Sequence, residues 1–169
     1  MALRDAVAER WLARVSTPLA VIAGTNEPAP ARLRRWLAEL SGAKRRMARE
    51  EPELFDTFHA IATEARDVVT EHLRILAGQI ARIITDGVAA GDFVRMDPDV
   101  AGRAVLQATA RFHHPAHTAE WADPGIDADL DAVVSLLLAG LSAAEPARHA
   151  TAAKPAARRT APKRRAGSD

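Results

Sequence analysis

The stretch Ile83-Ile84-Thr85-Asp86-Gly87-Val88-Ala89-Ala90-Gly91-Asp92-Phe93-Val94-Arg95-Met96-Asp97-Pro98-Asp99-Val100-Ala101 decides the fold, because it contains one helix stop and one helix start with little between them. Gly91 reads as the stop: glycine takes the left-handed conformation that ends many helices without a Cβ clash. Asp97-Pro98-Asp99 reads as the start. Aspartate caps the first free N–H groups, proline suits the first helical position because it has no N–H to leave orphaned, and a second acid favours the positive end of the helix dipole.

Helical periodicity runs outward from this connector on both sides. Upstream, Val68, Val69, Leu73, Leu76, Ile80, Ile83, Ile84 and Val88 form one apolar stripe. Before it, Glu50-Glu51-Pro52-Glu53 starts a short helix carrying Leu54, Phe55, Phe58, Ile61 and Ala62. A second helix over about Ala31 to Arg49 turns Leu33, Trp36, Leu37, Leu40 and Met47 inward, with Arg32, Arg34, Arg35, Lys44, Arg45, Arg46 and Arg49 on its outer face. The first helix repeats Leu3, Val7, Trp11, Val15, Leu19 and Ile22 at steps of three and four, and ends in the turn-rich Gly24 to Pro30. Downstream, a helix from Val100 to Phe112 meets Pro115. A loop through Asp123-Pro124-Gly125 then leads to a last helix, Ile126 to about Ala144.

No alternating period-2 stretch occurs, so no strand is expected. The expectation is an all-α, antiparallel helical bundle of about six helices: residues 1–24 as a first helix, 25–144 as the main domain, and 145–169 as a disordered basic tail. From Pro146 the chain holds seven Lys or Arg and one acid, and the remainder holds 16 bases and 21 acids, so the net charge of +1 hides a basic tail on an acidic domain. Without apolar anchors the tail buries too little surface to offset the entropy of ordering.

Composition excludes several classes of function. With no cysteine there is no disulfide framework and no thiolate metal site. No run approaches the apolar length of a membrane span, and the N-terminus lacks a signal core, which points to a cytoplasmic protein. The nine glycines are scattered, so no phosphate loop forms, and no serine stands in a nucleophile elbow. The expectation is no enzyme, no cofactor and no metal: Pro115 breaks the helical spacing of His113 and His117, and Glu120 is their nearest acid. His59 and His72 fall on inward faces, either as core histidines satisfied by a hydrogen bond or as polar groups facing a ligand.

The last helix is apolar all round from Val133 to Leu141, so at least two of its faces need cover. Either it is central to one protomer, or one face meets a second copy, with Ala139, Gly140 and Ala143 allowing close approach. Lys154, Arg158, Arg159, Lys163, Arg164 and Arg165 in the tail can neutralise phosphates without reading bases, or simply keep the chain soluble.

Three segments together resemble the C-terminal regulatory half of TetR-type transcriptional regulators. Residues 2–12 are similar to the helix that links the DNA-binding head to the sensor domain. Gly87-Val88-Ala89-Ala90-Gly91-Asp92-Phe93 followed by Asp97-Pro98-Asp99-Val100-Ala101 is the most specific part, and the helix ending in His113-His114-Pro115 is the third. The resemblance, over about residues 2 to 143, implies a homodimer built on the last two long helices and a cavity between the middle helices for a small, mostly apolar effector. Effector binding would respace the DNA-reading heads and release the operator, as in a repressor.

The pocket positions it suggests are Phe58, His59, Ala62, Leu76, Phe112 and His113, and the dimer positions are Leu106, Val133, Val134, Leu137 and Leu141. In one respect the sequence departs from the family. No A-G-V-S-x-G-x-x-Y-x-H-F pattern of a helix-turn-helix head occurs, and the basic tail is an addition. The expectation is that such a head is encoded upstream of Met1, and that DNA contact by this chain alone is sequence-blind. The alternatives are a headless helical adaptor that pairs with intact relatives, and a histone-like-tailed protein that binds DNA non-specifically.

Overall fold

The computed structural model describes residues 2–64 and 66–142. Six α-helices follow one another: α1 (Ala2–Ala23), α2 (Ala29–Glu50), α3 (Pro52–Glu64), α4 (Arg66–Ala90), α5 (Pro98–Ala108) and α6 (Ile126–Ser142). Two 3-10 segments, Ala110–Phe112 and Pro115–Ala122, lie between α5 and α6. There is no strand among the described residues, so the all-α expectation stands.

Helices α1, α2 and α4 pack around the centre, where Leu19, Leu33, Trp36, Leu40, Ile80, Ile83 and Ile84 are fully buried. One polar bridge crosses this interior. The Trp36 indole donates to Gln79 Oε1 at 3.0 Å, and the Gln79 amide donates to the Ser16 carbonyl at 3.0 Å, so the buried indole N–H is satisfied. Helix α5 lies along α4, and Gly102 makes this possible: a Cβ there would come within 2.6 Å of the Ala77 carbonyl oxygen. Helix α6 packs on α2 and on the second 3-10 segment.

The connector that announced the fold does more than end a helix. Gly91 adopts φ +83°, and the N–H groups of Gly91 and Asp92 donate to the carbonyls of Val88 (3.3 Å) and Gly87 (2.8 Å), the paired bonds of a Schellman motif. Asp92 then accepts from the first N–H of α2, Ala29, at 3.2 Å, and its carbonyl accepts from Ser142 at the end of α6. Phe93 fills the notch over Gly87, where a Cβ would lie 2.3 Å from its ring. Gly91 and Phe93 therefore close the end of α4 on itself, and Asp92 ties that end to α2 and α6. Asp97 caps α5 as expected, its carboxylate accepting from Asp99 N–H and Val100 N–H at 2.9 and 3.1 Å.

Several expectations need correction. Arg32 and Lys44 are not on an outer face; both are buried. Arg32 is drawn in because its guanidinium serves the carbonyls of Ala23 and Thr25, which α1 leaves without partners, and pairs with Asp86 at 2.9 Å. The helix of Val100 to Phe112 stops at Ala108. There the Thr109 hydroxyl donates back to the Val105 carbonyl at 3.0 Å, and the chain tightens into a 3-10 turn. The segment before Asp123, expected as loop, is the second 3-10 helix. Leu73, placed on the buried stripe of α4, is exposed at its edge. Among the described residues no helix is long and apolar enough to cross a membrane.

Candidate functional site

A group of ionisable and aromatic side chains meets inside the domain, each supplied by a different element. Trp11 comes from α1, Lys44 from α2, Phe55 from α3 and His72 from α4, while Phe112, His113 and Trp121 come from the segment between α5 and α6. That segment is held to α2 by one bond and closed on itself by another. Ser41 on α2 donates to the Phe112 carbonyl at 3.0 Å, and the Trp121 indole donates to the Arg111 carbonyl at 2.9 Å. The aromatic rings run in a chain, with Trp11 and Phe55 at 5.9 Å between centroids and Phe55 and Trp121 at 6.0 Å, edge to face.

Lys44 is the centre of this group. Its side chain is 6% exposed, and its ammonium lies 5.5 Å from the Trp11 ring centroid, inside the range of a cation–π contact. No carboxylate pairs with it among the described residues. Burial alone pulls its pKa down to about 8, so at neutral pH the interior still holds one positive charge. His72, 7% exposed, keeps its Nε2 buried with no hydrogen-bond partner among the described residues. Burial first, then the positive charges of Lys44 and His113, hold it at about 3. His113 donates from Nε2 to the Leu106 carbonyl at 3.2 Å. Burial is again the largest influence on it, opposed by that backbone bond and reinforced by Lys44, His114 and His117, and brings it to about 4. Both imidazoles are therefore neutral at pH 7 and the ammonium is not.

Two grooves flank α4 and reach this group from opposite sides. Between α4 and α5 a groove of about 560 Å³ is lined by Leu73, Ala77, Leu106 and Ala110, with Arg74, Arg103 and His113 in its walls. Between α1 and α4 a smaller one of about 200 Å³ is lined by Leu12, Ala13, Val68 and Ile75, with His72 in its wall and Glu9 and Glu71 alongside. Among the described residues no three His, Asp or Glu side chains converge as metal ligands. His117 is held instead by Glu120, at 2.7 Å.

A model of the tetracyclin repressor-like C-terminal domain matches residues 29–134, which run from the start of α2 into α6. The chain belongs to this family. No curated protein and no solved structure matches it. Of the pocket positions expected in this tetracyclin repressor-like domain, Leu76, Phe112 and His113 are buried, and only His113 of these three lines a described groove. The side chains of Phe58, His59 and Ala62 on α3 lie outside the described residues, as do Lys154, Arg158, Arg159, Lys163, Arg164 and Arg165.

Of the dimer positions, Leu106, Val134 and Leu141 are packed into the protomer's own core, and Val133 and Leu137 are half-buried. Leu136, which is not among those positions, is 75% exposed. It lies on a face of α6 with Ala132, Ala139 and Gly140, all exposed. At the interior site sequence reasoning missed Lys44. The signal was present: Leu33, Leu37, Leu40, Lys44 and Met47 follow one another at helical spacing, so the lysine stands within the apolar stripe. Its charge led to a surface placement that its position argued against.

Proposed function

We propose that this tetracyclin repressor-like domain is the effector-sensing and dimerising half of a transcriptional regulator, a repressor released by a small, mostly apolar ligand, working in the cytoplasm. The observation that carries the reading is the Trp11–Lys44 contact. It joins α1, the helix that resembles a linker to a DNA-reading head, to the one unpaired buried cation described in the domain. A ligand that arrives at Lys44 displaces or repacks Trp11, and α1 is a rigid lever that carries the change toward such a head. Regulatory domains of this family are not typically enzymatic, and no catalytic role is proposed for any residue.

For dimerisation the exposed faces support α6 as the centre. Leu136 presents a large apolar side chain among Ala132, Ala139 and Gly140, where a second helix can approach closely, with Val133 and Leu137 at the margin. Val134 and Leu141 act from beneath, by holding that face in shape, while Leu106 is buried on α5. Light scattering of the full chain is expected to give a dimer, and Leu136→Glu a folded monomer, because the glutamate would be buried without a partner on association. A thermal-shift screen with small molecules of mixed charge is expected to raise the melting temperature with at least one class. A monodisperse monomer for the unaltered chain, together with no shift from any class, overturns the reading.

A further inference from the structure

The structure assigns the Lys44–His72–His113 cluster as the anchor for a single negative charge, so that the effector of this domain is an amphipathic organic carboxylate. The inference rests on the sensor reading above and adds the chemistry of the ligand to it. Its starting point is a contrast in how the molecule treats its cations. Arg14, Arg34, Arg35, Arg45, Arg46 and Arg111, all at least partly exposed, are each paired with an acid. Buried Arg32 is paired as well. Lys44, as deeply buried as Arg32, has among the described residues an aromatic face and no acid.

An ammonium taken out of water without a counter-charge is costly, and the usual remedies are an ion pair or loss of the proton. Here neither is complete. Among the described residues no acid pairs with it: Trp11 on α1 contacts it, and His72 on α4 and His113 after α5 lie close enough to feel its charge. The His72 Nε2 adds a second buried polar atom that lacks a partner. A carboxylate that enters past His113 supplies Lys44 with the counter-charge that the described residues do not. One formal positive charge with two imidazoles that are neutral at pH 7 matches a monoanion. A phosphate dianion would exchange one uncompensated buried charge for another.

The grooves indicate where the rest of the ligand lies. His113 belongs both to the cluster and to the wall of the α4–α5 groove, whose lining is mainly apolar and whose walls carry Arg103 against the single acid Asp99, with Arg74 paired to Glu71 at its rim. The groove on the α1 side is smaller, at about 200 Å³, and carries Glu9 with no basic residue in its lining, while its Glu71 is paired with Arg74. The apolar body of the ligand therefore occupies the α4–α5 groove, and its acid end points inward.

Octanoate, 1-octanol and octylamine, three probes of one chain length and different charge, test this by calorimetry on the full chain. At pH 7 octanoate is expected to bind about thirtyfold or more tightly than 1-octanol, the scale of losing one partner of a buried charge pair. Lys44→Met is expected to abolish the difference while 1-octanol still binds. On the unaltered protein, octanoate affinity is expected to fall as pH rises through 8 toward 9.5, since Lys44 loses its proton there while His72 and His113 are already neutral. This series decides the matter even if Lys44→Met does not fold. Binding of 1-octanol or octylamine as tight as that of octanoate, or an octanoate affinity flat across that pH range, overturns the anion anchor and leaves the sensor reading standing. Failure of all three probes to bind overturns the anchor. If the mixed-charge screen and the dimer measurement fail as well, the sensor reading goes with it.

Discussion

The two sides of α4 are built on opposite principles. Toward α5, Gly102 sits against Ala77 and Ala81 with no room for another carbon, and the helices meet backbone to backbone. Toward α1 and α2, at the level of His72, the same helix faces a buried ammonium and a chain of aromatic rings. Dispersion over closely matched small residues holds the first contact, and its geometry has one solution. The second holds polar groups whose demands are only partly met, so its energy depends on pH and on whatever else enters. The difference suggests a division of labour, with the α4–α5 contact as fixed frame and the α1–α2–α4 junction as the adjustable part.

The largest effect that bears on this contrast is expected from acid. His72 titrates at about 3 and His113 at about 4 in the fold, both below the ordinary 6.5. Between those values and 6.5 the unfolded chain binds more protons than the folded one, so stability falls as pH drops below about 6.5. For each such histidine the loss is about 1.4 kcal/mol per pH unit within that window, which makes the combined loss several kcal/mol by pH 4. Lys44 acts in the same sense at higher pH, its folded value of about 8 lying below 10.5, so stability is expected to rise between those two values. Urea unfolding at a series of pH values checks both windows. A flat profile from pH 4 to 6.5 would show that the junction is no more strained than the frame.

Gly102→Ala probes the frame itself. The new Cβ would lie 2.6 Å from the Ala77 carbonyl oxygen and 3.1 Å from the Ala81 nitrogen, both backbone atoms of a helix that cannot yield locally. A loss of about 3 kcal/mol is expected, at the upper end of overpacking changes. Glycine-to-alanine within a helix ordinarily stabilises by up to about 1 kcal/mol, so the sign alone is informative. A stabilised variant would mean that α4 and α5 slide apart freely and that the contrast drawn above is wrong.

The smallest effect sharpens the comparison from outside. Arg34 on α2 reaches Asp131 and Ser135 on α6, but both partners of the ion pair are exposed. Arg34→Ala is expected to change stability by about 0.5 kcal/mol or less, because exposed pairs are screened and entropically costly. Chemical denaturation that shows more than about 1 kcal/mol would place a second structural frame at the α2–α6 contact.

The sequence by itself determined the helices, their order and most of their ends. Those features depend on neighbours a few residues apart: the 3.6-residue stripe of Ile80, Ile83 and Ile84, the cap at Asp97 and the left-handed Gly91 are local physics. The Gly-Asp-Phe run was legible as a pattern, but not its work. That Asp92 caps α2, and that the notch over Gly87 filled by Phe93 is also closed by Ala29, follow only once elements some 60 residues apart are brought together. The site was legible in part. His113 and the inward His72 came from the sequence, and the place of Lys44 on the α2 stripe was readable and passed over. Its meaning was not, because burial, an aromatic face and the lack of a counter-charge are supplied by α1, α4 and the 3-10 turn together. The α6 surface shows the same limit. An all-round apolar helix must be covered on more than one side, yet only packing against α2 decided that Val134 and Leu141 turn inward while Leu136 stays exposed.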